Sequence, residues 1–294
     1  MTFSFLVTAR EGIEMALIIT ILLGYLRTTG EKRHFRSIWA GVVAASVLSL
    51  AFAAGLKLVS RELDGRALEA FEGFTMLFAV GVLTWMLFWM RRQAAGISSD
   101  LRAKVDRALS GGLSGGSVMA LSLLAFTSVG REGVETSLFL FAGSTRGDSD
   151  LMFAAGGLAG FALAAAVGVS IYYGAARIPI HHFFTASAVA LMIIAAGLLT
   201  NALHALNEAT IIPNLGAHLW DTESALPVKS SVGKYLHTLV GYDSAPAISQ
   251  VVVYWSYLAL VVGAYLAFPQ LGGAKSERDL AEAHAGTQAA TISR

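Results

Sequence analysis

The chain contains no cysteine, which excludes disulfide stapling, thiolate metal ligation, iron–sulfur clusters and thiol nucleophiles. Charge is scarce too: 14% of the 294 residues are Asp, Glu, Lys or Arg, against about 25% in an ordinary soluble domain. With 21 basic and 20 acidic residues the formal net charge is +1, so there is no electrostatic footprint for nucleic acid. Seven histidines are spread thinly, and five prolines leave long stretches uninterrupted. The chemistry that remains is carboxylate oxygen and a little imidazole.

Apolar residues are abundant instead, at 55% of the chain, with a mean hydropathy of +0.62. A single soluble core cannot hide that much apolar surface, and the sequence reads as an integral membrane protein. A hydrocarbon layer of ~30 Å needs about 20 helical residues. Seven stretches are long enough: 2–26, 38–59, 70–90, 118–142, 151–176, 183–206 and 248–268. The first is not a secretory signal, because no basic segment precedes it and Arg10, Glu11 and Glu14 interrupt it. Placing the N-terminus outside puts thirteen Lys and Arg residues in inner segments and six in outer ones, which favours an N-out, C-in arrangement. Leu101, Val105, Ala108 and Leu109 recur at helical spacing beside Arg102, Lys104 and Arg107, as in a short interfacial helix. The run Gly111 to Ser117 reads as a flexible lead into the fourth span, and the polar residues 271–294 as a disordered cytoplasmic tail.

One internal repeat stands out. Arg10-Glu11-Gly12-Ile13-Glu14 in the first span returns as Arg131-Glu132-Gly133-Val134-Glu135 in the fourth, 121 residues on, with four of five positions identical. The copies lie three spans apart in chain order, with two spans between them, so the second crosses the membrane in the opposite sense. The predicted architecture is therefore all-α and polytopic: seven transmembrane helices, a 3+3 inverted repeat and one added helix. Residues 1–92 form the first repeat and 111–208 the second, followed by an outer loop at 207–248 and the seventh helix at 248–268. The membrane domain as a whole spans 1–270. Leu83-Thr84 and Leu199-Thr200 are a weaker echo in the third and sixth spans.

Both motifs fall at about the same depth, roughly 14 to 15 Å below the outer face at 1.5 Å per helical residue. Each charge there costs on the order of 2.5 to 3.5 kcal/mol and faces the bundle interior or water. Positions i and i+3 share a helix face, so Glu11 with Glu14, and Glu132 with Glu135, present paired carboxylates. Facing helices 8 to 10 Å apart let four such groups reach one small cation. Arg10 and Arg131 each neutralise one carboxylate of their own motif, leaving a formal excess of two negative charges. Glu72, in the first turns of the third span, adds another. The competing reading is a pair of Arg–Glu contacts that only fix helix packing, which leaves one glutamate per motif uncompensated.

Oxygen donors without thiolate or clustered imidazole suit hard cations: Mg, Ca, Mn or iron. Met86 and Met90 have the spacing of a soft-metal pair, but in a leucine-rich bundle packing is the better reading. His204 and Glu208 near the outer end of the sixth span, and Asp221 and Glu223 in the outer loop, are secondary metal candidates. A polar cap is the better reading for His204 and Glu208, and solvated surface the default for Asp221 and Glu223. Two other classes compete with transport of a metal. A membrane-embedded carboxylate metalloenzyme lacks convergent histidines or a Glu-x-x-His element. A proton- or sodium-coupled transporter would use the same buried glutamates as a relay.

The two Arg-Glu-x-x-Glu motifs, on the first and fourth of seven spans, resemble the hallmark of the oxidase-dependent iron permeases. These are the fungal high-affinity iron permease and its bacterial inner-membrane relatives. The likeness runs through all seven spans, including Phe71-Glu72-Gly73 and Trp220-Asp221. It implies that Glu11, Glu14, Glu132 and Glu135 handle iron, supported by Arg10 and Arg131. It implies iron as transported substrate, with no permanently bound cofactor and no enzymatic step. It further implies residence in the cytoplasmic (inner or plasma) membrane, and an extracytoplasmic partner that oxidises or delivers ferrous iron.

Overall fold

The structure, a computed structural model, describes residues 1–93, 97–110, 114–144, 150–174, 180–213, 218–228 and 230–267. Among these are nine α-helices: α1 Thr2–Thr28, α2 Phe35–Glu62, α3 Arg66–Gln93, α4 Ile97–Ser110, α5 Ser114–Ser144, α6 Asp150–Tyr172, α7 Ile180–Glu208, α8 Ser231–Val240 and α9 Ile248–Ala267. A single turn of 3-10 helix, Lys32–His34, leads into α2. No strand occurs among the described residues, where backbone bridging is confined to His218 and Ala247.

Each long apolar stretch of the sequence falls on one helix, and the interfacial stretch falls on α4. Five helical segments are long and apolar enough to cross a membrane: Lys32–Glu62, Arg66–Met90, Leu151–Tyr172, Thr185–Glu208 and Ile248–Ala267. α1 and α5 match them in length, at 27 and 31 residues, but each carries three charged motif residues near its middle. Trp39, Val43, Val47 and Leu50 on α2, Leu151 and Leu158 on α6, and Leu260 and Leu266 on α9 are all exposed. Apolar faces of that extent fit lipid, not water, and with the long helices they mark a membrane protein.

Two regions depart from the sequence reading. The lead into α5 was expected to be flexible, but Ser114 to Ser117 belong to the helix, which propagates back from Val118 at little cost once nucleated. Residues 111–113 lie outside the described residues, as does the tail 271–294. The connection between α7 and α9, expected as a loop, also contains a helix, α8, that hydropathy does not reveal. Ser230 caps its start by accepting a hydrogen bond from the Gly233 amide at 3.0 Å. Gly241 ends it in the left-handed conformation, φ 73°, and lies against Gly197 of α7 so closely that a Cβ on either residue would collide with the other's backbone.

Small residues let the helices that carry the motifs approach their neighbours. Along α1 and α6, a Cβ at Gly156 would meet the Met1 carbonyl and Ser4, one at Gly160 would meet Thr8 and Ala9, and one at Gly12 would meet Ala164. Along α2 and α5, a Cβ at Gly41 would meet the Ser122 carbonyl and Ala125, one at Gly130 would meet Ala45, and one at Gly133 would meet Ser49. α3 packs on α7, and α1 crosses α5.

Two apolar clusters result. One gathers Phe3 and Val7 of α1 with Leu138, Phe139 and Ala142 of α5, and with α3, α7 and Val261 of α9. The other gathers Leu22, Leu23 and Leu26 of α1 with Leu121, Ala125 and Val129 of α5, and with α2 and α4. Residues 10–14 and 131–135 fall between the two sets on both helices. The charged motifs therefore form a layer between two apolar cores.

Candidate metal centre

Arg10, Glu11 and Glu14 on α1, and Glu132 and Glu135 on α5, are all buried, and Glu11 has no exposed surface at all. Arg10 divides its guanidinium between two carboxylates of its own helix: Nη1 lies 2.6 Å from Glu11 Oε1 and Nη2 lies 3.1 Å from Glu14 Oε1. Arg131 uses Nε to reach Glu135 Oε1 at 2.8 Å, the i,i+4 pairing expected from the motif. Glu132 forms no ion pair among the described residues. Four carboxylates facing two guanidinium groups leave the formal excess of two negative charges that the sequence requires.

Three of the four motif glutamates converge. Glu11, Glu132 and Glu135 each present one oxygen, and these atoms all lie within 4.8 Å of one another. Glu11 Oε2, Glu132 Oε2 and Glu135 Oε2 are buried without a hydrogen-bond partner. An orphaned carboxylate oxygen in a low-dielectric interior is costly, and three gathered carboxylates that each keep one are what a cation with bonds of about 2.0 to 2.6 Å would satisfy. Glu14 stays beside this group, turned to Arg10, with its Oε1 in the ion pair but without a hydrogen bond.

The other predicted metal candidates lie elsewhere. Glu72 is half-buried in α3 and outside the three-carboxylate cluster. His204 and Glu208 form an exposed i,i+4 pair, Nε2 to Oε1 3.4 Å. Asp221 and Glu223 are exposed between α7 and α8, where Asp221 Oδ1 accepts from the Glu223 amide at 2.9 Å.

Residues of α3 that the sequence reading assigned to packing, or passed over, touch both motif arginines. Arg10 donates from Nη1 to Met86 Sδ at 3.4 Å and from Nη2 to Met90 Sδ at 2.7 Å. The Arg131 guanidinium lies 4.1 Å from the Trp89 ring centre and 5.2 Å from that of Trp85. The signal available in the sequence was the pattern Trp-Met-x-x-Trp-Met at 85–90, two i,i+4 pairs closing a span next to motifs whose arginines exceed their carboxylate contacts.

A helical membrane protein built around a buried acidic centre is the class these features define. The sequence matches the Iron permease FTR1 family over residues 1–277, and the chain belongs to that family. It is 34% identical over 254 residues to the ferrous iron permease EfeU of Yersinia pestis, covering 86% of this chain and 89% of the relative. It is 33% identical over 274 residues to the ferrous iron permease EfeU of Escherichia coli O157:H7, covering 93% and 98%. No solved structure matches the chain.

Proposed function

We propose that the protein is an iron-ion permease that imports iron across the cytoplasmic membrane through the buried site made by its two Arg-Glu-Gly-x-Glu motifs. The observation that carries this reading is the meeting of Glu11, Glu132 and Glu135, each with a buried oxygen lacking a hydrogen bond. Family membership and the names of the relatives supply the word iron, and the donor set agrees, since three carboxylates favour a hard cation over copper(I) or zinc. All three gathered ligands are glutamates, with no histidine among them, which favours passage of an ion over a metalloenzyme site.

The reading includes seven spans with the N-terminus outside, arranged as a 3+3 inverted repeat within residues 1–270. Contacts between the helices support that repeat. An offset of 121 residues carries α1 onto α5, and one of 115 carries α2 onto α6. Under this mapping the approach of Gly133 to Ser49 corresponds to that of Gly12 to Ala164. Gly41 near Ser122 and Ala125 corresponds to Gly156 near Met1 and Ser4, and Gly130 near Ala45 to Ala9 near Gly160. Three pairs of contacts related by the same two offsets are what an internal two-fold arrangement produces. Transport then consists of one half rearranging against the other around a fixed site. On the outer side, Asp221 and Glu223 in the loop, His204 and Glu208 near the end of the sixth span and Glu72 in the first turns of the third offer carboxylate and imidazole to an arriving ion, handed over by an iron-oxidising or iron-delivering extracytoplasmic partner.

The test is radio-iron uptake by cells that lack other iron importers and express Glu11→Gln or Glu132→Gln at wild-type membrane levels. Both variants are expected to lose uptake, and wild-type uptake in both overturns the reading.

A further inference from the structure

α3 ends with Thr84-Trp85-Met86-Leu87-Phe88-Trp89-Met90, in which two like pairs stand four residues apart on adjacent lines of the helix. The methionine pair receives both terminal nitrogens of Arg10, and the tryptophan rings, stacked 6.0 Å apart, lie under the guanidinium of Arg131. Two turns of one helix thus hold the arginines of both motifs, which come from different helices. The arrangement has no counterpart in the second half. Aligning Leu83-Thr84 with Leu199-Thr200 puts Asn201, Ala202, Ala205 and Leu206 of α7 at the corresponding positions, with neither sulfur nor ring among them.

This asymmetry matters because two of the three gathered carboxylates are each tied to an arginine through one oxygen. Glu11 is held by Arg10 and Glu135 by Arg131. A guanidinium that gives up its carboxylate inside the membrane still needs a partner, since an unpaired buried charge is strongly unfavourable. Thioether sulfur and the face of an indole are neutral partners: they hold a guanidinium without competing for the ion. We propose that Trp85, Met86, Trp89 and Met90 are positioning residues of the transport site, retaining Arg10 and Arg131 while the glutamates turn to the cation. The end of α3 thereby sets how readily the site accepts its ion. The inference rests on the carboxylate cluster being the transport site.

Radio-iron uptake kinetics of the full chain, normalised to protein in the membrane, test it with paired substitutions. Met90→Leu keeps apolar volume and loses the acceptor, whereas Met90→Gln keeps an acceptor. Trp89→Leu loses the ring, whereas Trp89→Phe keeps a π face. The leucine variants are expected to raise the half-saturating iron concentration about tenfold, with the maximal rate within about twofold, and Gln and Phe to restore it to within about threefold. A packing role predicts the reverse order at position 90, with Leu tolerated and the buried amide of Gln damaging. That order, or wild-type kinetics in both leucine variants, overturns the proposal provided Glu11→Gln is inactive. Wild-type uptake by both Glu11→Gln and Glu132→Gln overturns the underlying transport reading instead.

Discussion

Glu11 on α1 and Glu132 on α5 stand 121 residues apart in the chain, yet bring carboxylate oxygens within 4.8 Å of each other in the layer between two apolar cores. They are not equivalent. Glu11 is held by Arg10 at 2.6 Å, while Glu132 has no arginine partner and keeps an orphaned Oε2. A group that is unfavourable for folding and available to a cation should separate stability from activity. Glu132→Gln is therefore expected to lower iron uptake at least about a hundredfold while leaving the protein as stable or about 1 kcal/mol more stable, because it replaces a buried carboxyl that has no arginine partner. Initial uptake rates and thermal unfolding in detergent check the two halves. Loss of stability together with loss of uptake would mean that Glu132 is a packing element.

Arg10 reaches four groups through two nitrogens: Glu11, Glu14, Met86 and Met90. The compact ammonium of lysine cannot span them, so Arg10→Lys leaves at least one buried carboxylate without its partner. The expected cost is roughly 3 kcal/mol of stability, together with severe loss of uptake. Arg131 makes one carboxylate contact and its side chain is 29% exposed, so Arg131→Lys is expected to cost less. Thermal unfolding of the two variants side by side gives the ranking, and equal costs would contradict this division of contacts.

Much of this arrangement is legible in the sequence, and the illegible parts share a cause. Hydropathy and length locate the seven long helices to within a few residues, because a run of about 20 apolar residues has few alternatives. α8 escapes that test: ten residues are too short to register, and only the Ser230 and Gly241 caps mark its ends. The repeated motif stands out because six charges amid apolar runs demand a reason. Which glutamates meet is not written in one helix, since Glu11 and Glu14 share a face of α1 and only the position of α5 decides between them. Nothing in the sequence of α3 ties Trp85 and Trp89 to Arg131, because that contact depends on where α5 packs.

That choice between Glu11 and Glu14 makes a further prediction. Glu14 turns to Arg10 and stays out of the three-oxygen group, whereas Glu135 contributes an oxygen to it. Glu135→Gln is expected to abolish uptake, and Glu14→Gln to reduce it by about tenfold, the scale of a perturbed neighbour contributing about 1.4 kcal/mol. Dose-response curves of radio-iron uptake for both variants decide the matter. Equal loss would place Glu14 among the ligands of the permeating ion.

The close approach of α5 to α2 predicts a rescue. A Cβ at Gly133 would collide with the Ser49 side chain, and Ser49 is buried, with its hydroxyl donating to the Ala45 carbonyl at 2.9 Å. Neither helix can simply retreat, because Ser137 of α5 donates to the Ser49 carbonyl at 2.9 Å and fixes the separation there. Gly133→Ala is therefore expected to destabilise by about 2 kcal/mol through overpacking. Ser49→Gly removes the obstructing side chain but adds backbone entropy, so alone it costs about 1 kcal/mol. Combined, the two should couple favourably by at least about 1 kcal/mol, and iron uptake should return with stability. Simple additivity in thermal unfolding would mean that the two helices part at this point, and with them the packing that holds Glu132 and Glu135 against Glu11.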